Sequence, residues 1–156
     1  MSKTMLYWFF FLCVQAVGYT LAAEFGYLNM AVAADISRLT YFIILLHVYA
    51  SAVIGYAIHQ LQFSVGEPNL KRAWFLAELP MSIGMIGTLV GFIYMIYASI
   101  GVLPAEITTT MLRDTVKGLA LGMGTALWTT LFGLAVSTLL KIQCMLLESA
   151  ADKKDV

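Results

Sequence analysis

The stretch LPMSIGMIGTLVGFIYMIYASIGVLPA, residues 79–105, contains no charged residue. As a helix rising about 1.5 Å per residue it would reach about 40 Å, more than the ~30 Å hydrocarbon core of a bilayer. Three further windows share this property: residues 4–23, 39–66 and 118–140. Each is at least as long as the roughly 20 residues a spanning helix needs. The 156-residue chain is 61% apolar and 12% charged, whereas soluble domains carry about a quarter charged residues. The pattern predicts an all-α, polytopic membrane protein with four transmembrane helices. Nine basic residues balance nine acidic ones, which excludes a basic nucleic-acid binder as the theme.

The charge gaps place the first span over residues 5–34, if the helix continues past Glu24, and the second over 40–60. A short cytoplasmic link covers 61–79. The third span follows over 80–103, and the fourth runs over 115–149 with a cytoplasmic extension. Lys3, the apolar run and Ala22-Ala23 also resemble a signal peptide, but the run is long enough to span and reads as a transmembrane helix. Pro68, Pro80 and Pro104 fall at segment ends, where a missing backbone donor costs little. With both termini cytoplasmic, Lys3, Lys71, Arg72, Lys141, Lys153 and Lys154 share the inner side, against Arg38, Arg113 and Lys117 outside. Trp8 and Trp74 would then mark the inner interface. No link leaves room for a soluble catalytic module, so the chain reads as a single membrane domain, 1–156, and not as an enzyme.

The first two spans are greasy on most sides, whereas eight of the twelve glycines lie between Gly84 and Gly133. At 100° per residue, Gly84, Thr88, Gly91, Met95 and Ser99 share one face of the third helix. Gly118, Gly122, Thr125, Thr129, Gly133 and the bulkier Val136 share one face of the fourth, widened by Ala126, Thr130 and Ser137. Thr88 is nine residues into its window from Leu79, and Thr130 ten from the end of its own at Leu140. Antiparallel packing would bring Thr88, Thr129 and Thr130 to one level, about 13–15 Å from the cytoplasmic edge. Such small, hydroxyl-bearing stripes serve either close packing or an ion path.

No Asp, Glu, Lys or Arg occupies the core of any window. Ion carriers normally hold an intramembrane group that changes charge, so an ion path here requires a partner's carboxylate. Other candidates are a proton relay through His47 and a small proton-coupled transporter using Glu24. His47 and His59 share one helix, about 18 Å apart, and cannot ligate one haem within a subunit. Cys13 and Cys144 lack a C-x-x-C partner and read as small apolar residues. A structural scaffold is the remaining alternative.

Two runs carry a family resemblance. Ile83-Gly84-Met85-Ile86-Gly87-Thr88-Leu89-Val90-Gly91 is similar to the G-L-L-G-T-V-x-G run that opens a pore helix in the ExbB, TolQ and MotA family of bacterial motor subunits. Gly122-Met123-Gly124-Thr125-Ala126-Leu127-Trp128-Thr129-Thr130-Leu131-Phe132-Gly133-Leu134 is similar to that family's G-I-x-x-A-L-x-T-T-x-x-G-L pattern on the last pore helix. The resemblance covers residues 83–143. It implies a multi-pass protein of the bacterial inner membrane whose last two helices are long and pore-lining. It also implies a homo-oligomer, five copies around single-span partners of the ExbD, TolR or MotB kind, each bearing a membrane aspartate. Thr88 and Thr130 match threonines that face this aspartate, with Thr129 and Thr125 beside them. Gly84, Gly87, Gly91, Gly122, Ala126 and Gly133 match packing and partner-facing positions. No cofactor is implied; the transported ion is a proton, with sodium the alternative, and the ion-motive force powers envelope work or protein transport. ExbB- and TolQ-like members carry a glutamate where this chain has Thr125. The large cytoplasmic domain of MotA-like members between spans two and three has no counterpart here, which speaks against a flagellar role.

Overall fold

The computed structural model describes residues 3–26, 38–63, 68–100 and 108–152, without the side chains of residues 98–100, 121 and 125. They form four α-helices: α1 Lys3–Glu24, α2 Leu39–Phe63, α3 Leu70–Ile100 and α4 Thr109–Asp152. Each is long and apolar enough to cross a membrane, so the chain is a multi-pass, all-α membrane protein. At about 1.5 Å per residue, α3 and α4 reach about 46 and 66 Å, well beyond a bilayer core.

Several boundaries differ from the sequence reading. α1 ends at Glu24, because Gly26 adopts a left-handed φ of 74° and its N–H bonds Ala23 O at 3.0 Å. Glycine takes that conformation without a Cβ penalty, which closes the helix. Residues 27–34 of the expected continuation lie outside the described residues. The largest difference is at α3, which begins ten residues before Pro80 and carries that proline inside it. Its start is fixed by Asn69, whose side-chain oxygen accepts the Arg72 N–H at 3.0 Å, a standard N-cap geometry. Pro80 therefore does not open the helix. Most of the expected link is helical, residues 64–67 lying outside the described residues. α4 likewise starts early, where Thr108 O accepts the Leu112 N–H at 3.0 Å. Residues 101–103 at the expected end of α3 are also outside the described residues.

The tightest packing is between α3 and α4, which run antiparallel and touch where side chains vanish. A Cβ on Gly133 would lie 2.5 Å from Pro80 O and 3.1 Å from Gly84 Cα. A Cβ on Gly84 would lie 3.0 Å from Thr129 O and 3.2 Å from Thr130 Cα. These are backbone atoms, so the two helices approach closely only because both positions are glycine. Ala126 faces Gly91, and Met95 fills the groove left by Gly122. Towards the start of α3 the contact becomes an ordinary core: Ala73, Leu76 and Ala77 pack with Val136, Leu140, Cys144 and Leu147 and with Ile54 and Ile58 of α2. Ser137 seals the transition by donating to Ala77 O at 2.7 Å.

α1 and α2 form a second antiparallel pair. The Trp8 indole sits over Gly55, and Trp8 and Trp74 both pack on the core cluster. Both are partly buried. Only Gln15 of α1 is buried; Phe9, Phe10, Val14, Val17 and Leu21 are exposed, as expected of a helix that meets lipid on most sides.

The two hairpins are staggered along the bundle axis. Leu39, the first residue of α2, reaches Gly87 of α3. Tyr49, near the middle of α2, accepts a hydrogen bond from Arg72 at 3.2 Å. Ser51 meets Gln143, thirteen residues beyond Thr130 on α4. The middle of α2 therefore lies about 20 Å from the level of Thr130. One surface ion pair, Lys141–Glu78 at 3.7 Å, joins α3 and α4 near the middle of α2. Being exposed, it adds less than about 1 kcal/mol.

Glycine contacts of this kind make a sharp prediction. Gly133→Ala should destabilise the bundle by about 1–3 kcal/mol, because the Cβ meets a backbone carbonyl. Gly124→Ala, which has nothing within 4 Å, should be neutral or slightly stabilising. Equilibrium unfolding in mixed micelles distinguishes them; equal effects would contradict the packing described.

Candidate functional site

The close glycine contact places two threonines opposite each other. The hydroxyls of Thr88 on α3 and Thr130 on α4 are hydrogen-bonded. Thr88 Oγ1 also lies 3.1 Å from Gly84 O and 3.0 Å from Ala126 O. Thr130 Oγ1 lies 3.2 Å from the same Gly84 O. Each hydroxyl has one proton to donate and can accept as well. Two protons thus face two carbonyls and each other, so alternative donor arrangements are close in geometry. Both side chains are part-buried. They lie within windows 79–105 and 118–140, which contain no charge.

The other predicted residues divide into four groups. Gly84, Gly91, Gly122, Ala126 and Gly133 all lie in the α3–α4 contact, as the periodicity indicated. Thr129 is buried, but its methyl turns under Gly87, beside Leu39 of α2. It packs beside the hydroxyl pair, so the expected group of three is a pair with a neighbouring packing residue. Gly118 is exposed. Thr125 is on α4, but its side chain, like that of Ser99, lies outside the described residues.

Thr130 also faces outwards. With Gly124, Leu127, Trp128, Leu131 and Leu134 it lines a shallow cleft of about 380 Å³ on the surface of α4. The hydroxyl pair is therefore next to an otherwise apolar groove. Glu24, the carboxylate of the alternative transporter reading, ends α1 at an exposed position.

A second polar group was not apparent from the sequence. Gln143 of α4 is fully buried and donates from Nε2 to Gln15 Oε1 of α1 at 3.2 Å and to Ser51 Oγ of α2 at 3.1 Å. This amide joins three helices. His47 of α2, expected to be a packed or relay group, is buried and bonded through Nδ1 to the Tyr19 hydroxyl of α1 at 2.6 Å. These residues come from distant parts of the chain, two from α1, two from α2 and one from α4. The signal that could have found them is phase: Trp8, Gln15 and Tyr19 share one face of α1, and His47 and Ser51 are four apart on α2.

The chain matches no protein-family model, no curated protein and no solved structure.

Because each threonine hydroxyl has a carbonyl to fall back on, single Thr88→Val or Thr130→Val changes should cost less than about 1 kcal/mol in stability. A double-mutant cycle should give a coupling near 0.6 kcal/mol, typical of membrane hydroxyl pairs. Unfolding of the purified variants in mixed micelles measures both quantities; zero coupling would contradict a direct bond.

Proposed function

We propose that the chain is a subunit of an ion-motive-force-driven motor or channel. Several copies, five by the family resemblance, would surround a single-span partner that carries a membrane aspartate. The observation that carries this reading is the Thr88–Thr130 hydroxyl pair, set in the charge-free stretches of α3 and α4 beside an apolar groove large enough to seat a partner's side chains.

The physical argument starts from the cost of a carboxylate in lipid. An unpaired ionised carboxylate is strongly disfavoured there, whereas its protonated form is close to an ordinary polar group. Hydroxyl donors lower the cost of the ionised form by hydrogen bonding to it, without fixing it as a cation would. Thr88 and Thr130 suit that task because their protons can turn from backbone carbonyls towards an incoming acceptor. Proton binding would release the aspartate from one subunit's hydroxyls. Proton loss would capture it at the next, and repetition around the ring would convert ion flow into rotation. In this reading α3 and α4 are pore-lining, both termini are cytoplasmic, the membrane is the bacterial inner membrane and the ion is a proton. The groove beside Thr130 supplies the greasy sleeve, and α1–α2 buttresses one side of the hairpin.

The test begins by purifying the subunit from native membranes and identifying a co-purifying single-span protein with an Asp in its apolar segment. Proton flux is then measured in proteoliposomes containing both proteins. Thr88→Val and Thr130→Val are each expected to reduce flux at least tenfold while the complex retains its native mass. Thr88→Ser should retain most of the flux. Unchanged flux in both valine variants would remove these residues from the ion path.

A further inference from the structure

The guanidinium of Arg72, early in α3, reaches across to α2 and donates to the Tyr49 hydroxyl at 3.2 Å. Tyr49 is ten residues beyond Leu39, where the charge-free window 39–66 begins, about 15 Å along the helix. A full positive charge is therefore held beside the apolar stretch of a membrane-spanning helix. Both residues are exposed, so the pair lies on the outer surface of the bundle. Among the described residues no carboxylate pairs with it: the one ion pair there joins Lys141 to Glu78. Lys71, next in the chain and also exposed, adds a second positive charge. A cation in such surroundings is costly unless a counter-charge reaches it.

The free donors define the counter-charge. A guanidinium has five N–H groups, of which Tyr49 takes one, and Tyr49 keeps its own O–H proton to donate. Two adjacent groups thus offer donors to an anion with several acceptor oxygens, and the planar guanidinium matches phosphate in two-point contact. The flanking surface shows what that phosphate is attached to. Phe42 and Leu45 stand seven and four residues before Tyr49, within about 60° of one another and of Tyr49 around α2, and both are exposed. An acyl chain can lie along this strip, whereas free phosphate gains nothing from it. The levels agree with a lipid as well. Arg72 lies seven residues before Leu79, where the charge-free window of α3 begins. That puts it about 10 Å outside the window, beside the polar layer that flanks the hydrocarbon core. From there the strip leads towards Leu39, which meets Gly87 inside that window.

We propose that the Arg72–Tyr49 pair binds the phosphate of an anionic phospholipid, one acyl chain of which lies along Leu45 and Phe42 of α2. A zwitterionic lipid would bring its own cation next to Arg72 and Lys71, so a net negative headgroup is preferred. The proposal is independent of the motor reading, since it uses neither the threonine pair nor the groove beside it.

The test is native mass spectrometry of the full-length protein released from detergent micelles, titrated separately with dioleoylphosphatidylglycerol and dioleoylphosphatidylcholine. Phosphatidylglycerol is expected to bind about tenfold more tightly, the scale of one charge-assisted hydrogen bond. Arg72→Gln should remove that preference and Tyr49→Phe should reduce it, both with helicity unchanged because the side chains are exposed. Lys117→Gln, an exposed position near the start of α4 and at the opposite end of the α3–α4 pair, should keep it. Equal binding of the two lipids, a preference that survives Arg72→Gln, or an equal loss in Lys117→Gln would overturn the proposal. So would displacement of phosphatidylglycerol by an equal concentration of inorganic phosphate, which would leave a simple anion site. A lipid-free dimer that Arg72→Gln abolishes would also overturn it, by giving the guanidinium to a carboxylate of a second copy.

Discussion

Everything in this bundle is arranged around the place where Gly133 meets Pro80 and Gly84. In lipid there is no hydrophobic gain from bringing two apolar helices together, so association relies on close van der Waals contact and a few hydrogen bonds. Glycine at both positions lets the α3 and α4 backbones approach until carbonyls and Cα atoms touch. The threonine hydroxyls can meet across the interface only because of that approach. A helix pair separated by even one methyl would leave Thr88 and Thr130 bonded to their own helices alone, a common state for threonine in membranes.

The polar groups sort by what surrounds them. Thr88 and Thr130 sit between glycines, part-buried and beside a groove, where their protons can change partners. Gln143, Gln15 and Ser51 are buried where three helices converge, and their amide contact fixes how α1 and α2 sit against α4. On α1 it stands beside two other specific contacts, the Trp8 indole over Gly55 and the Tyr19–His47 hydrogen bond. A buried polar contact costs stability unless it is satisfied. Here Gln143 Oε1 and Gln15 Nε2 both lack a partner, so the convergence is polar but incompletely paired.

Much of the α3–α4 contact was legible in the sequence, because glycine and threonine recur at helical phase and a phase predicts a face. Gly84, Gly91, Ala126 and Gly133 all fall where that phase puts them. Phase does not give axial register, and for that reason the position of α2 was hidden: its window is free of charge over its whole length, so no charged residue marks its level. Pro80 misled for a related reason. It stands at the edge of a charge-free run, but helices continue through charged residues, and α3 starts at the Asn69 cap. Gln15 and Gln143 are far apart in sequence, and only the fold makes them neighbours.

The stagger between the two hairpins has its own consequence for the membrane around them. Their apolar belts are offset by about 20 Å, so lipid on the α1–α2 side must stand at a different height from lipid on the α3–α4 side. Hydrophobic mismatch costs fractions of a kcal/mol per Å, enough to make an isolated subunit an uncomfortable guest in a flat bilayer. A neighbour that covers one belt removes lipid from the boundary where the heights disagree. The bilayer itself would thus favour assembly, quite apart from any contact between protein surfaces.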